Sequence, residues 1–410
     1  MAVSRKRRRR QRLGSPLRRN GLVPRPEPIR ALVRHPELRF SDGNAVELYE
    51  TGRGGLQAML AAIERSRRRI HLETYILRAD HVGREFLTAL AERAAVGVEV
   101  RVLYDAIGSF GLEESALESL RAAGGEAVAF NPVMKFWPRF APRRRDHRKI
   151  LIVDGEVAFT GGLNIGDEYI SGLGPKGSDE EWRDAHVRIQ GPCVRELEAV
   201  FLESWFRADG TSLAWHALLE RTPARAGQVR CAVLADGPTY RRRRTRDLLI
   251  TALENAAHEV RLVSPYFAPG RHVLEVLAEA SARGVQVSLL LAGTRTDHPS
   301  LLRATRAVLP GLLKHGVRIF EYDLAMMHAK VACFDTHWCA VGTSNLDRQS
   351  FEHSYEVNVV IEDAELAKRV CETFDADVAR AREVTLESLG KRSLYERFRD
   401  RFWAIVLRWV

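Results

Sequence analysis

Two periods alternate along this chain. From residue 54 a helix-spaced apolar run, "GGLQAMLAAIERS", gives way to a strand-like stretch, "RIHLETYIL", then to a second helix, "REFLTALAERAAVG", and a second strand, "VEVRVLYD". The same order returns in "RDLLITALENAA", "EVRLVSPYF", "HVLEVLAEASARG" and "VQVSLLLAG". Both second helices close on a similar phrase, "LAERAAVGVEV" and "LAEASARGVQV", with Gly97 and Gly284 where a helix C-terminus favours glycine. The pattern predicts an α/β protein built from two similar halves.

Further along each half a polar frame interrupts a buried strand. "HRKILIVDGEVAFTGGLN" (147–164) and "HAKVACFDTHWCAVGTSN" (328–345) share H-x-K-x4-D-x6-G-x2-N without a gap. One His-x-Lys beside an apolar run means little, but two in register within similar halves are not coincidence. In a strand, His147 and Lys149 project together while Asp154 faces away. An acid follows each frame, Asp184 in "EEWRDAHVRIQGP" and Glu356 in "SYEVNVVIED", and the first half carries an extra surface loop, "IGDEYISGLGPKGSDEE". Phosphodiester exchange needs a nucleophile and a proton donor for the leaving alkoxide. Two such sets supply both: His147 and His328 across one phosphorus, with Lys149, Lys330, Asn164 and Asn345 around its oxygens.

Composition narrows the partners. The 410 residues are 45% hydrophobic and 28% charged, which suits a globular chain of two domains. The net charge of +10 belongs to the start of the chain: residues 1–34 hold twelve Lys or Arg and the single acid Glu27, and the remainder nearly cancels. Residues 1–40, basic and broken by Pro and Gly, are expected to be a disordered tail facing a polyanion, either nucleic acid or an anionic membrane. No apolar h-region follows, so the tail does not read as a secretory signal. Five cysteines without a C-x-x-C pair argue against a disulfide framework or a cysteine zinc site and fit a reducing compartment. No run approaches 18 uninterrupted apolar residues, so membrane association is expected to be peripheral.

The paired frames resemble the HKD motifs of the phospholipase D superfamily, over roughly residues 45 to 380. The resemblance implies two fused α-β-α domains, 41–225 and 226–385, related by a pseudo-twofold axis with the active site at their interface. It also implies a covalent phosphohistidine on one histidine, acid/base work by the other, and no metal or cofactor. His147 is assigned as nucleophile and His328 as acid/base, an order the pseudosymmetry can reverse. Asp184 and Glu356 resemble the acids that hold the histidines, with Asp184 expected to serve His147, and Asp154 and Asp335 resemble structural motif aspartates. "FNPV", "MKFWPRFAPRRRDHRKILIVDG", "AFTGGLNIGDEY", "WRDAHVRIQGP" and "SPYFAPG", in this order, are similar to bacterial cardiolipin synthases, especially the shorter B type. That implies phosphatidyl transfer between phospholipids, with phosphatidylglycerol as donor and acceptor, on the cytoplasmic side of the inner membrane and without nucleic acid. A hydrolase or nuclease acting on other phosphodiesters is the alternative. "GTSN" replaces "GGLN" in the second half, which is expected only to loosen a glycine turn.

Two further stretches bear on substrate. In "KRSLYERFRDRFWAIVLRWV" (391–410), Leu394, Phe398, Phe402, Ile405, Val406 and Trp409 share one helical face, with six basic and two acidic residues across the stretch. Residues 386–410 therefore predict a basic amphipathic helix, suited to a lipid interface or else packed on the domain. Between Lys135 and Arg145, Phe136, Trp137 and Phe140 alternate with arginines just before His147, so Arg145 and Trp137 are candidates to admit an anionic lipid, or to pack, or to stack on bases. Tyr75 and Tyr266, equivalent in the two halves, are candidate pocket residues. His71, His186 and His353 receive no role.

Overall fold

The computed structural model describes residues 38–132, 144–170, 181–211, 219, 221–240 and 243–409. The basic start of the chain, the aromatic and arginine stretch containing Trp137, and most of the extra loop of the first half lie outside these residues.

The first half supplies strands β1 (Ser41–Thr51), β2 (Arg69–Thr74), β3 (Glu99–Asp105), β4 (Glu126–Phe130), β5 (Ile150–Val153), β6 (Val157–Gly161) and β7 (Arg183–Gln190). The second half supplies β8 (Val229–Asp236), β9 (Glu259–Ser264), β10 (Phe267–Ala268), β11 (Gln286–Ala292), β12 (Arg318–Tyr322), β13 (Val331–Phe334), β14 (Trp338–Gly342), β15 (Leu346–Asp347), β16 (Glu356–Glu362) and β17 (Arg382–Glu383). Fifteen of them form one sheet, in the order β17-β12-β11-β9-β13-β14-β16-β8-β1-β7-β6-β5-β2-β3-β4. Read outward from the β8–β1 seam, β8-β16-β14-β13-β9-β11-β12 matches β1-β7-β6-β5-β2-β3-β4 position for position. That is a pseudo-twofold axis written in strand order.

Each half joins three parallel strands to an antiparallel meander. Inner strands such as β2, β5 and β16 are buried on both faces, so β5 reads as the unbroken run Ile150, Leu151, Ile152 and Val153. The predicted helices fall at Gly52–Glu64, His81–Ala95, Arg244–Asn255 and Arg271–Ala282. Gly97 and Gly284 follow the second helix of each half with φ of 88° and 94°, a left-handed turn that glycine adopts without steric cost.

The motif aspartates secure the turn beneath each site. Asp154, at φ 57°, accepts hydrogen bonds from the backbone N–H groups of Arg67, Arg68 and Arg69 where β2 begins. Asp335, at φ 51°, does the same for Ala257, His258 and Glu259 at the start of β9. Both point away from the histidines, as strand parity predicts.

Helix Leu394–Trp409 packs against helix Pro299–Leu313, and Asp400 is buried in an ion pair with Arg392. Its other side stays open: Leu394, Tyr395, Phe398 and Phe402 are 82%, 70%, 71% and 51% exposed. The helix is therefore both packed on the domain and apolar toward solvent.

Candidate active site

Strand pairing in each half begins one residue after the lysine. His147 and Lys149 lie on an extended segment that leaves its own half before β5 starts. Asp146 bridges to Tyr355, and the His147 N–H donates to the Tyr355 carbonyl at 2.9 Å, so the first histidine runs alongside the start of β16. The second half answers in kind, with Met327 bridging to Arg183 and the His328 N–H donating to the Arg183 carbonyl at 2.7 Å.

This crossing corrects the expected pairing. His147 Nδ1 lies 3.0 Å from Glu356, and His328 Nδ1 lies 2.6 Å from Asp184. Each histidine is held by the acid of the other half, because the two segments meet at the pseudo-twofold axis and not within their own domains. Neither half contains a finished site.

Lys149 Nζ donates to the His147 carbonyl at 2.7 Å, and Lys330 makes the equivalent bond to His328. Burial and mutual repulsion push Lys149 down to about 7, and burial pushes Lys330 down to about 8. Two ammonium groups confined this way have unmet demand for an anion. Asn164 accepts from the Ile76 N–H at 3.1 Å and donates to the Tyr169 hydroxyl at 2.5 Å. Asn345 donates its backbone N–H to Ser350, and its buried Oδ1 has no hydrogen-bond partner among the described residues.

The two acids differ. Burial raises Glu356 to about 8, so near neutral pH it is mostly a carboxylic acid. Its Oε2 accepts from the Thr343 hydroxyl and faces His147 Nδ1, while Oε1 is buried with no hydrogen-bond partner among the described residues. Asp184 is held below its ordinary value despite burial, because His328, Lys330 and the Ala185 N–H favour its charge. His147 is driven well below its ordinary pKa by burial and then by Lys149, Lys330 and His328, whereas the Asp184 charge resists the same tendency in His328.

Thr343 is a residue that sequence reasoning undervalued. At the equivalent position, a Cβ on Gly162 would lie 1.9 Å from Asp184 Oδ1, so the shorter acid there requires glycine. "GTSN" therefore installs a hydroxyl on Glu356 and does not loosen a turn. Arg148 was also missed, although Ala329 at the same place in the second frame was a signal. Fully buried, Arg148 donates to Ser204 Oγ at 2.8 Å, to the Asp236 and Glu356 carbonyls at 3.1 and 3.3 Å, and to the Tyr240 hydroxyl at 3.2 Å. It bolts the first frame to the second half from behind the pocket.

Aromatic rings wall the histidines. Tyr75 meets His147 edge-on at 4.9 Å, and Lys149 Nζ lies 5.3 Å from the centre of the same ring. His328 sits between Tyr169 and Trp182 at 5.7 and 5.6 Å, two site residues that neither periodicity nor the paired frames mark. Tyr266, the counterpart of Tyr75, turns its hydroxyl to Asp297. Arg145 is 6% exposed and paired with Asp105 at 3.3 Å, which commits its guanidinium to the fold and not to a pocket mouth. Trp137 lies outside the described residues. His71 is buried against Glu198 and Phe201, and His186 is buried on β7 two residues beyond Asp184, where burial lowers its pKa to about 4.

A sheet doubled about an axis, with one His-Lys-Asn set from each side, defines a phospholipase D-type protein. Phosphatidylserine synthase of Haemophilus influenzae shares this fold, with a TM-score of 0.69 and 13% identity over 92% of this chain and 97% of that one. Polyphosphate kinase from Porphyromonas gingivalis aligns with a TM-score of 0.55 at 14% identity, over 90% of this chain and 53% of its own. Residues 59–205 and 249–378 match the family described as "Cardiolipin synthase, PLD-like domain". Cardiolipin synthase 1 of Bacillus cereus is 32% identical over 373 residues, 89% of this chain and 72% of that protein. The major cardiolipin synthase ClsA of Bacillus subtilis is 32% identical over 91% of this chain and 77% of its own length, and the cardiolipin synthase of Geobacillus kaustophilus is 34% identical over 90% and 74%. The chain belongs to the phospholipase D-like cardiolipin synthase family and is a phosphatidyltransferase.

Proposed function

We propose that the protein joins two phosphatidylglycerol molecules into cardiolipin and releases glycerol. The crossed dyads carry this reading, because they differ in the way that two successive steps require. Neutral His147, with Nδ1–H directed at Glu356 Oε2, keeps the Nε2 lone pair free to attack phosphorus. Burial lowers His328 as well, but ionised Asp184 opposes that and supports the proton which His328 delivers to the departing glycerol oxygen. A P–N bond forms as the P–O bond breaks. In the second step the acceptor's hydroxyl proton passes to His328, its oxygen bonds to phosphorus, and the electron pair of the P–N bond returns to His147. Lys149, Lys330, Asn164 and Asn345 surround the phosphoryl oxygens as charge gathers on them.

The exposed Leu394, Phe398 and Phe402, with the arginines of the same helix, support peripheral attachment to an anionic leaflet, which we assign to the cytoplasmic face of a bacterial inner membrane. No helix among the described residues is long and apolar enough to cross a membrane.

Lipid chromatography of phosphatidylglycerol vesicles incubated with purified wild type, His147→Ala and His328→Ala tests the chemistry. Wild type is expected to yield cardiolipin and glycerol, neither variant should turn over, and a phosphatidyl group caught on the wild-type enzyme by rapid quench should be absent from His147→Ala. DNA cleavage that is lost in His147→Ala, with no lipid product from wild type, would overturn the assignment. Replacing Leu394, Phe398 and Phe402 together by Ser should reduce co-sedimentation with anionic vesicles. Undiminished binding would move the attachment elsewhere.

A further inference from the structure

Each histidine of the crossed dyads is tied to the other half by the residue before its acid, and the two ties are secured differently. Tyr355, before Glu356, accepts from the His147 N–H, and the guanidinium groups of Arg148 and Arg207 each lie 5.4 Å from the centre of its ring. Arg183, before Asp184, accepts from the N–H groups of His328 and Ala329 at 2.7 and 3.1 Å, and its own N–H donates to the Met326 carbonyl at 2.9 Å. Trp182, Arg183 and Asp184 thus grip His328 by a ring, a carbonyl and an acid in turn. Successive side chains on an extended segment point to opposite faces. With Trp182 and Asp184 turned to His328, the Arg183 side chain leaves on the other side.

There it meets the second half again. Arg183 Nε lies 2.9 Å from both oxygens of Asp377, on helix Ala364–Ala379, and both side chains are largely buried. Another of its nitrogens donates to the Glu50 carbonyl, and the Glu50 carboxylate accepts from Arg369 of the same helix at 3.1 Å. The anchor falls where the ladder is irregular: the β1–β7 register shifts between Tyr49 and Thr51, opposite Arg183 and the residues that follow it. Across the axis, His328 lies three residues before β13 starts and outside its ladder. Backbone pairing alone therefore leaves both sides of this dyad loosely fixed, and the Arg183 side chain supplies the missing restraint.

We propose that Arg183 and Asp377 are positioning residues for the acid/base histidine: their ion pair, made between the halves, holds the Arg183 carbonyl and Asp184 in register with His328. The inference rests on the assignment of proton transfer to His328 above. Without the pair the start of β7 can shift, and a misplacement of about 1 Å in a reacting group costs up to about 10²-fold in rate. The His147 dyad, tied through Tyr355, is not reached by this restraint.

The test compares two leaving groups on the full chain. Glycerol departs from phosphatidylglycerol with a proton from His328, whereas nitrophenolate departs from phosphatidyl-p-nitrophenol with the electron pair of the P–O bond and needs none. On phosphatidylglycerol vesicles Asp377→Asn should lower kcat about tenfold with little change in KM. In rapid mixing with the nitrophenyl lipid, its first release of nitrophenolate should stay within about twofold of wild type, because His147 attacks without help from the acid. A merely structural role for the pair would slow both reactions. Arg183→Lys keeps the charge but not the planar guanidinium and should lower kcat on phosphatidylglycerol about threefold. It carries the test if Asp377→Asn does not fold. An unchanged kcat in a folded variant, or nitrophenolate release slowed as much as cardiolipin formation, overturns the positioning role. The histidine variants check the reading beneath it: His147→Ala should release no nitrophenolate, and His328→Ala one equivalent without turnover. The reverse pattern overturns the assignment of the two histidines, and the positioning role with it.

Discussion

The histidine pairs His147–Glu356 and His328–Asp184 occupy equivalent places in a doubled fold, yet they hold their protons differently. In one, a long acid raised by burial to about 8 leans on Thr343; in the other, a short acid fits against Gly162 and stays ionised. The strand order is repeated, but the electrostatics are not. Duplication supplies two similar tools, and a few side chains at one turn make them unlike.

The sharpest way to break this comparison is to replace each acid by its amide. Asp184→Asn should lower kcat about 10²- to 10⁴-fold, because His328 loses the anion that supports its proton. Glu356→Gln should cost less than about tenfold, since an amide imitates an uncharged carboxyl. Equal losses, measured by cardiolipin formation at neutral pH, would erase the distinction between the dyads.

Arg148 tests the asymmetry behind the pocket. Arg148→Met leaves buried acceptors unpaired and should destabilise the protein by about 3 to 5 kcal/mol, seen as a lower midpoint in thermal or denaturant unfolding. At the matching position Ala329→Ser should change the midpoint little. If Arg148→Met is neutral, the bolt between the halves is not a stabilising one.

The pH profile should carry the same signature with a smaller amplitude. Lys149, displaced down to about 7, loses its positive charge as pH rises through that value, and Glu356 gains a negative charge as pH rises through about 8. Both changes disfavour an anionic substrate, so kcat/KM should fall on the alkaline side between roughly pH 7 and 8. In Glu356→Gln the upper part of that fall should shrink to what Lys330 contributes as it loses its charge through about 8, and a profile unchanged by the substitution would contradict the assignment. Smallest of all, Thr343→Val should cost about 1 kcal/mol, roughly a fivefold loss of kcat/KM, by leaving Glu356 Oε2 with one donor fewer. Gly162→Thr, its mirror image, should be far more damaging because the added Cβ meets Asp184.

Much of this protein is written locally. Helix and strand periods, Gly97 and Gly284 at their turns, and the two registered frames carried the α/β repeat and named His147, His328, Asp184 and Glu356, which the fold joins in crossed pairs. The outward direction of Asp154 and Asp335 followed from alternation along a strand. The exposed apolar face of helix Leu394–Trp409 could be read from spacing alone at Leu394, Phe398 and Phe402.

What the sequence could not determine is which half completes which site. Spacing along the chain suggested Asp184 for His147, whereas the extended segments at Asp146 and Met327 cross the pseudo-twofold axis and exchange acids. The same limit hid Arg148, whose partners Ser204, Asp236, Tyr240 and Glu356 are scattered over the second half and the preceding helix. It also hid the Arg183–Asp377 pair, which joins the start of β7 to a helix of the second half. Periodicity reports a residue's relation to its near neighbours, but pairing, burial and pKa depend on groups brought close only when the halves dock.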